Sequence, residues 1–255
     1  MQKAPRISLF IIAKNEEKKI AKCILSARDI VNEIIVVDSN STDKTTTVCR
    51  TLGAIVYNRN FDGFTQQKNF ALSKVTSDWA LSLDADETLT PALAQEIKQA
   101  VQNENYDGYE LSRVNIFWGK RMNFSGVKKE KILRLVRTKK AVFEGGLVHE
   151  KLTVKGKVGQ LKNTFTHDSF ADIETYIQKL NHYTTLSAQT MYQKGRHCHI
   201  LLTVLRLPLD FSKRYFLQLG FLDGFRGFIW AVFYAFYTFV KYVKLWLLEV
   251  KNKKA

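Results

Sequence analysis

Short apolar runs alternate with helical patterns through about the first ninety residues, and this alternation restricts the fold more than any other feature. Four runs are typical of buried strands: RISLFIIA, NEIIVVD, AIVYN and WALSLD. The segments between them, EEKKIAKCILSA, TDKTTTVCRTLG and GFTQQKNFALSKV, have helical spacing. Strands that alternate with helices in this way predict an α/β fold, with a mostly parallel, Rossmann-like sheet and helices on both faces.

Acidic side chains follow two of the predicted strands. The fourth strand runs into LDADE, which places Asp84, Asp86 and Glu87 within four residues, and the second strand ends at Asp38. Ligands of parallel sheets bind outside the carboxyl ends of the strands. Carboxylates this close together repel one another unless a cation lies between them. A hard divalent cation, Mg²⁺ or Mn²⁺, prefers such oxygen ligands and often binds substrate phosphates as well.

Each acid also has a purely structural interpretation. Asp38 taken alone is expected to cap the helix that follows it. The acidic run would then be a polar turn before a further helix, TPALAQEIKQAVQ, with Thr88 or Thr90 as the cap and Pro91 in the first turn. This explains one acid easily but not three together, so the crowding favours a metal site.

Basic residues dominate the middle of the chain. YDGYELSRVNIFW and KILRLVR alternate polar and apolar residues and predict antiparallel additions to the sheet. Between Trp118 and Lys157 there are 12 Lys or Arg against 3 Asp or Glu, in a chain whose formal net charge is +15. A surplus of this size implies an anionic partner: nucleic acid, a membrane surface or a phosphorylated substrate. The basic cluster itself is either a solvated face or a phosphate-binding or lipid-facing surface.

The last part of the chain is rich in aromatic and basic residues, and it predicts an amphipathic helical extension. Its longest uncharged stretch, Gly227 to Val240, has 14 residues, whereas a membrane-spanning helix needs about 20. The mixture of Trp, Tyr and Lys is typical of helices that lie at a membrane surface. A helix buried against a catalytic domain is the alternative.

Cysteine usage favours a reduced, cytoplasmic setting. The three cysteines, Cys23, Cys49 and Cys198, are widely spaced and form no CxxC pair. Cys23 and Cys49 fall in predicted helices, where we expect small core residues. The apolar run near the N-terminus meets Lys14 directly, which is not typical of a signal peptide.

Four motifs, in this order and spacing, resemble the nucleotide-sugar half of glycosyltransferase family 2, the inverting GT-A enzymes: ISLFIIAKNEE, IIVVDSNSTDKT, GFTQQKNFAL and LSLDADE. Three later segments, FEGGLVHEKL, THDSFADIETYIQKLNHYT and GFLDGFRGFIWAVFYAFYTFVKYVKL, resemble the bacterial branch that adds glucose to the inner core of lipopolysaccharide or lipooligosaccharide. The resemblance implies a GT-A catalytic domain over residues 1–170, with nucleotide-sugar binding in 1–90 and the acceptor side in 91–170. A helical C-terminal region, expected to associate with the membrane surface, would follow over 171–255.

The resemblance also implies residue roles. Asp86 and His149 would bind the metal, and Glu150 would be the base that takes the proton from the acceptor hydroxyl. Because neighbours on a strand face opposite sides, one of His149 and Glu150 is expected to be structural. Glu87 and His167 are weaker candidates for acceptor binding. The nucleotide-sugar contacts are expected from Ala13, Asn15, Glu16, Asp38, Lys68, Asp84 and Ala85.

The expected partners follow from these roles. A UDP-sugar would be the donor, Mg²⁺ or Mn²⁺ the cofactor, and a heptose of an anionic, lipid-anchored saccharide the acceptor. The enzyme would be cytoplasmic and peripheral on the inner face of the bacterial cytoplasmic membrane. A polyprenyl-linked or capsule precursor is the alternative acceptor. No nucleic-acid partner is expected, because the sequence has no helix-turn-helix, zinc-finger or RNP-like motif, and a Rossmann dehydrogenase is excluded because no GxGxxG follows the first strand.

Overall fold

The predicted parallel strands form one half of a mixed sheet. A computed structural model of the chain describes residues 4–127, 130–145, 150–170 and 173–252. In chain order, the first half contains β1 (Ile7–Ala13), α1 (Ile20–Ala27), β2 (Glu33–Asp38), α2 (Thr45–Thr51), β3 (Ile55–Asn58), α3 (Phe64–Ser73), β4 (Trp79–Ser82), β5 (Glu87–Leu89) and α4 (Pro91–Ala100). Strands β3, β2, β1 and β4 are neighbours in this order and run parallel.

The second half of the sheet is antiparallel where its pairing is described. It contains β6 (Gly108–Phe117), β7 (Lys120–Arg121), β8 (Glu130–Arg137), β9 (Ala141–Gly145), β10 (Glu150–Val154) and β11 (Val158–Phe170). The sheet order continues from β4 through β8, β6 and β11 to β5, while β9 and β10 form a separate hairpin. Strand β8 runs antiparallel to both β4 and β6. The predicted α/β class and its antiparallel additions are therefore confirmed.

The core lies on both faces of this sheet. Because side chains alternate along a strand, Leu9 and Ile11 point to one face of β1 and Phe10 to the other. The first face packs against α1, α2 and α4, and Cys23 and Cys49 are fully buried there, as predicted. The second face packs against α3 and the β9–β10 hairpin. Helices thus cover both faces and leave the strand ends to form a site.

Helix α4 begins as its sequence predicts. The Thr90 side chain accepts a hydrogen bond from the backbone N–H of Leu93, and Pro91 occupies the first helical position. The same hydroxyl donates to the carbonyl of Thr164 on β11. The structural interpretation of Thr90 is confirmed, and it coexists with the acidic cluster just before it.

The chain divides into two compact units, Met1–Val114 with Lys129–His167 and Asn115–Lys128 with Asp168–Ala255. The second unit contains α5 (Ile173–Gln193), α6 (Ile200–Ser212) and α7 (Phe225–Asn252). The Lys244 ammonium of α7 lies 2.7 to 2.8 Å from four oxygens of α5, on Asn181, Thr184 and Thr185. Among the described residues, α7 is the one helix whose length and composition would allow it to cross a membrane, and 22% of its apolar window is buried. The uncharged stretch of 14 residues underestimates the length of this helix, because α7 continues through Lys241 and Lys244.

Glu96 of α4 forms hydrogen bonds with β11, the strand that pairs with β5. Its carboxylate accepts hydrogen bonds from the backbone N–H groups of Lys162 and Asn163, at 2.8 and 2.9 Å, and from the Asn163 side chain. Burial opposes ionisation, but these three donors hold the pKa of Glu96 below its ordinary value. Glu96 thus fixes α4 to β11.

We predict that Glu96→Gln lowers the free energy of unfolding by about 1 kcal/mol at neutral pH, a value reduced for the partial exposure of the site. Because the folded-state pKa is lowered, the stabilisation is present above roughly pH 4.3 and is lost as the pH falls through the folded-state value. Urea denaturation at several pH values should show the two proteins converging at acidic pH. Glu104→Gln, at an exposed position, is the control and should match the parent throughout.

Candidate active site

The loops after β1 and β2 are bound to each other at the carboxyl edge of the sheet. Ala13 pairs with Asp38 in the parallel register. The buried Asp38 carboxylate accepts hydrogen bonds from the backbone N–H and the hydroxyl of Ser41. Asp38 therefore shapes its own loop and does not cap α2, whose first residue, Thr45, contacts Asp43 instead.

Asn15 and Glu16 complete this edge. Asn15 has a left-handed backbone, with φ of 55°, a conformation that Asn tolerates better than most residues. Its N–H donates to the Ser41 hydroxyl at 2.9 Å, and its side-chain oxygen accepts from the N–H of Thr42 at 2.8 Å. The N–H of Glu16 donates to the Thr45 hydroxyl. The structure thus brings Ala13, Asn15, Glu16 and Asp38 together at one edge.

The acidic run after β4 is neutralised by two buried cations of the chain itself. Asp84 contacts Lys68 at 3.0 Å and Arg134 at 2.8 Å. The fully buried Glu87 accepts a hydrogen bond from Arg134 at 2.5 Å and another from the N–H of Asp84 at 3.0 Å. We call Lys68, Asp84, Glu87 and Arg134 the charged cluster. Ala85, between its acids, is buried.

The ion pairs with Lys68 and Arg134 shift the pKa values of Asp84 and Glu87 differently. Burial alone would raise the pKa of Asp84, but Arg134 and Lys68 lower it well below its ordinary value. Burial raises the pKa of Glu87, and Arg134 offsets this only in part. Burial also acts to lower the pKa of Lys68, yet Asp84 and Glu150 raise it above its ordinary value. Asp84 and Lys68 are therefore held as an ion pair.

Asp86, between these two acids, faces a histidine. Its Oδ1 is 3.3 Å from His167 Nε2. The antiparallel pairing of β5 with β11 sets this distance, because it places His167 opposite Glu87 in the register. His167, expected from the sequence on the acceptor side, is thus beside the acid assigned to the metal.

The Asp86 and His167 pair fits a divalent cation. Two neighbouring ligands of an octahedral ion with bonds of about 2.1 Å lie roughly 3 Å apart, close to the observed separation. Carboxylate oxygen and imidazole nitrogen are both ligands that Mn²⁺ accepts. The described residues contain no group of three or more His, Cys, Asp or Glu arranged to hold a metal. His149, the other expected ligand, lies outside the residues that the structure describes.

The expected base, Glu150, adjoins the charged cluster. Its Oε1 accepts a hydrogen bond from Lys68 at 2.9 Å, so that one ammonium bridges Asp84 and Glu150. Helix α3 also fixes the hairpin that carries Glu150, because the Asn69 side chain makes two hydrogen bonds of 2.8 Å with the backbone of Phe143. Two consecutive residues of the QQKN motif, Lys68 and Asn69, thus hold Glu150 and its hairpin.

A cavity of about 520 Å³ opens beside Glu150. Its lining is mixed in charge but includes more cations than carboxylates. The polar and charged residues of the wall are Lys68, Asp84, Glu110, Arg113, Lys131, Arg134, Glu150, Lys151 and Thr153. A cavity of this size accommodates a sugar and offers it hydrogen-bond partners and positive charge.

Arg134 is the residue of this site that sequence reasoning missed. It is 6% exposed and lies in β8 between Leu133 and Leu135. An arginine between two apolar pairs, Ile132–Leu133 and Leu135–Val136, was the available signal, because such a side chain is rarely buried without acidic partners. The partners are about fifty residues earlier in the chain, so that the sequence did not identify them.

The chain belongs to glycosyltransferase family 2. The family's domain, Glycosyl transferase family 2, matches residues 8–147. An uncharacterized glycosyltransferase of Rickettsia typhi is 32% identical over 97% of this chain and 89% of its own length. The lipopolysaccharide core biosynthesis glycosyltransferase LpsC of Rhizobium meliloti is 29% identical over 89% of this chain and 86% of its own length. The protein is therefore a glycosyltransferase.

Solved structures of related enzymes align over a smaller part of the chain. Glucosyl-3-phosphoglycerate synthase from Mycobacterium tuberculosis, in complex with Mn²⁺ and UDP-glucose, is 23% identical over 44% of each chain, with a TM-score of 0.38. A mannosyltransferase from Pyrobaculum calidifontis, in complex with GDP-Man and Mn²⁺, is 22% identical over 43% of this chain and 36% of its own, with a TM-score of 0.37.

We predict that Arg134→Met lowers the free energy of unfolding by about 3 to 5 kcal/mol, because the fully buried Glu87 and the partly buried Asp84 lose their shared cation. Guanidinium denaturation followed by tryptophan fluorescence, in buffer with a chelator, measures the change. Arg113→Met is the matched control: Arg113 pairs with the exposed Glu130, and its loss should cost less than about 1 kcal/mol. Equal losses in the two variants would contradict the structural role of Arg134.

Proposed function

We propose that this chain transfers a hexose, glucose, from a UDP-sugar to a heptose of the lipopolysaccharide or lipooligosaccharide inner core, with inversion at the anomeric carbon. The observation that carries the proposal is the Lys68 bridge, which joins Asp84 of the acidic motif to Glu150 beside a sugar-sized cavity. The similarity to LpsC supports the acceptor class. The later sequence segments that resemble inner-core glucosyltransferases support glucose as the donor sugar.

Donor binding is assigned to the edge formed by the loops after β1 and β2. Asp38 and Asn15 offer oxygen acceptors to the N–H and O–H groups of a uridine, and Ala13 closes the edge with a small side chain. Asp86 and His167 would hold Mn²⁺ or Mg²⁺ beside the diphosphate. When bound, that cation would neutralise charge that develops on the departing diphosphate.

Glu150 is assigned the proton transfer. Lys68 contacts its Oε1, and its Oε2 is the atom that would receive the proton of the acceptor hydroxyl. As the proton moves to Glu150, the hydroxyl oxygen forms its bond to the anomeric carbon and the bond from that carbon to the UDP oxygen breaks. The hydrogen bond from Lys68 holds the carboxylate in place at the cavity. Asp84 in turn holds Lys68.

We predict that Glu150→Gln lowers kcat by about 10²- to 10⁴-fold, the usual contribution of a general base, with little change in the Kd for UDP. Radiolabelled glucose transfer to purified core acceptor measures kcat, and calorimetry measures the Kd. Glu144→Gln, an exposed acid on the paired strand of the same hairpin, is the control and should keep the parental rate. Full activity in the Glu150→Gln enzyme would show that Glu150 is not the general base.

We predict that the parent protein binds one of UDP-glucose, UDP-galactose and UDP-N-acetylglucosamine selectively in calorimetric titrations, and only with Mn²⁺ or Mg²⁺ present. Asp86→Asn should abolish the metal-dependent part, and His167→Gln should weaken it at least tenfold, because each removes one ligand. Asp29→Asn, at an exposed position, is the control. Unchanged metal dependence in Asp86→Asn would show that this motif does not bind the cation.

A further inference from the structure

Helix α6 carries its apolar side chains outward. The one buried residue of α6 is Thr203. By contrast, Ile200 is 65% exposed, Leu201 72% and Leu209 62%. A helix on a water-soluble surface has the opposite arrangement, with the apolar stripe against the core and the polar side in solvent. The outward stripe of α6 therefore needs an apolar partner.

The exposed apolar surface continues beyond α6 into the turns that lead to α7. Phe216, Leu217 and Phe225 are 56%, 80% and 75% exposed. The aromatic ring of Phe211 contacts the rings of Phe216 and Phe228, so that the surface is continuous. Soluble monomers rarely expose a contiguous apolar patch of more than a few hundred Å². We call this surface the α6 face; it comprises the exposed residues Ile200, Leu201, Leu202, Val204, Leu205, Leu209, Phe216, Leu217, Leu219, Phe221, Leu222 and Phe225.

The inward side of the same segment is fixed by polar contacts within its unit. Arg206 lies over the ring of Tyr242 at 4.3 Å. Arg214 lies 3.7 Å above the ring of Tyr234 and donates to the carbonyl of Ser125. The Asp223 carboxylate accepts hydrogen bonds from the N–H groups of Asn123 and Phe124. These contacts keep the segment from rotating its leucines inward, so the outward orientation is built into the unit.

The charges around the α6 face identify its partner. Lys194 and Arg196 are exposed just before α6, and Lys213 is exposed just after it. Residues 194–226 contain six Lys or Arg and two Asp, and one of these acids, Asp223, is already committed to backbone N–H groups. A second copy of the chain would bring like charges together on this face. A surface of anionic lipids instead supplies both the apolar layer and the opposite charge.

We propose that the α6 face binds the surface of an anionic lipid bilayer, with α6 lying in the plane of the membrane interface. Its 13 residues make a helix of about 20 Å, too short for a hydrocarbon core of roughly 30 Å. The exposed leucines and phenylalanines enter the region between headgroups and acyl chains, while Lys194, Arg196 and Lys213 contact lipid phosphates. This binding does not depend on which donor or acceptor the active site uses.

Vesicle sedimentation of the full chain tests the proposal. The parent should bind phosphatidylglycerol-containing vesicles at least tenfold more tightly than vesicles of phosphatidylcholine alone. Leu201→Glu with Leu209→Glu should reduce this binding at least tenfold, and both positions are exposed, so the fold should be kept. Leu25→Glu with Ile55→Glu, two apolar residues 53% and 49% exposed in the other unit, is the matched control and should bind as the parent does.

Two further measurements test the contribution of charge to vesicle binding and distinguish a membrane from a second copy of the chain as the partner. Lys194→Gln with Arg196→Gln should lower binding to phosphatidylglycerol vesicles and reduce its dependence on salt. Parental vesicle binding by the Leu201→Glu, Leu209→Glu variant would overturn the proposal and assign membrane contact to α7. A parent that ignores vesicles and forms a dimer in light scattering, broken by the same variant, would overturn it in favour of an interface between two copies.

Discussion

The ion pairs of Arg134 with Asp84 and Glu87, and of Lys68 with Asp84, are the constraint on which the unit that contains the sheet depends. Three carboxylates within four residues at the end of β4 would repel one another where water is excluded. Two cations from distant elements of the chain, Lys68 and Arg134, form ion pairs with two of them. Arg134 comes from β8, the antiparallel strand beside β4. The antiparallel addition to the sheet is therefore what allows the acidic motif to lie at the end of the parallel half.

This arrangement divides the acids of LDADE by task. Asp84 and Glu87 are occupied by cations of the chain, whereas Asp86 faces His167. In the sequence, the crowded carboxylates suggested a metal site. In the structure, Lys68 and Arg134 balance part of their negative charge, so a metal ion is not needed for all of it. Asp86, with His167 at 3.3 Å, is the carboxylate whose observed contact fits the ligand spacing of a divalent ion.

The sequence was sufficient for whatever depends on local pattern. Short apolar runs and helical spacing predicted the strands and helices of the parallel half, and cap chemistry limited the start of α4 to Thr88 or Thr90, of which the structure shows Thr90. The partners of Arg134 and the contact between Asp86 and His167 depend on strand neighbours and register, which local pattern does not specify. The direction of α6 was missed for a similar reason: periodicity identifies an apolar stripe but not which side packs on α7.

The pairing of β5 with β11 has a consequence for recombining members of this family. The stretch that matches the family domain ends at residue 147, before both Glu150 and His167. A chimera joined at that boundary would take its acidic motif from one parent, and the proposed base and the histidine facing Asp86 from the other. Exchange of the C-terminal part to alter acceptor choice would therefore also exchange chemistry, unless the junction were moved beyond β11.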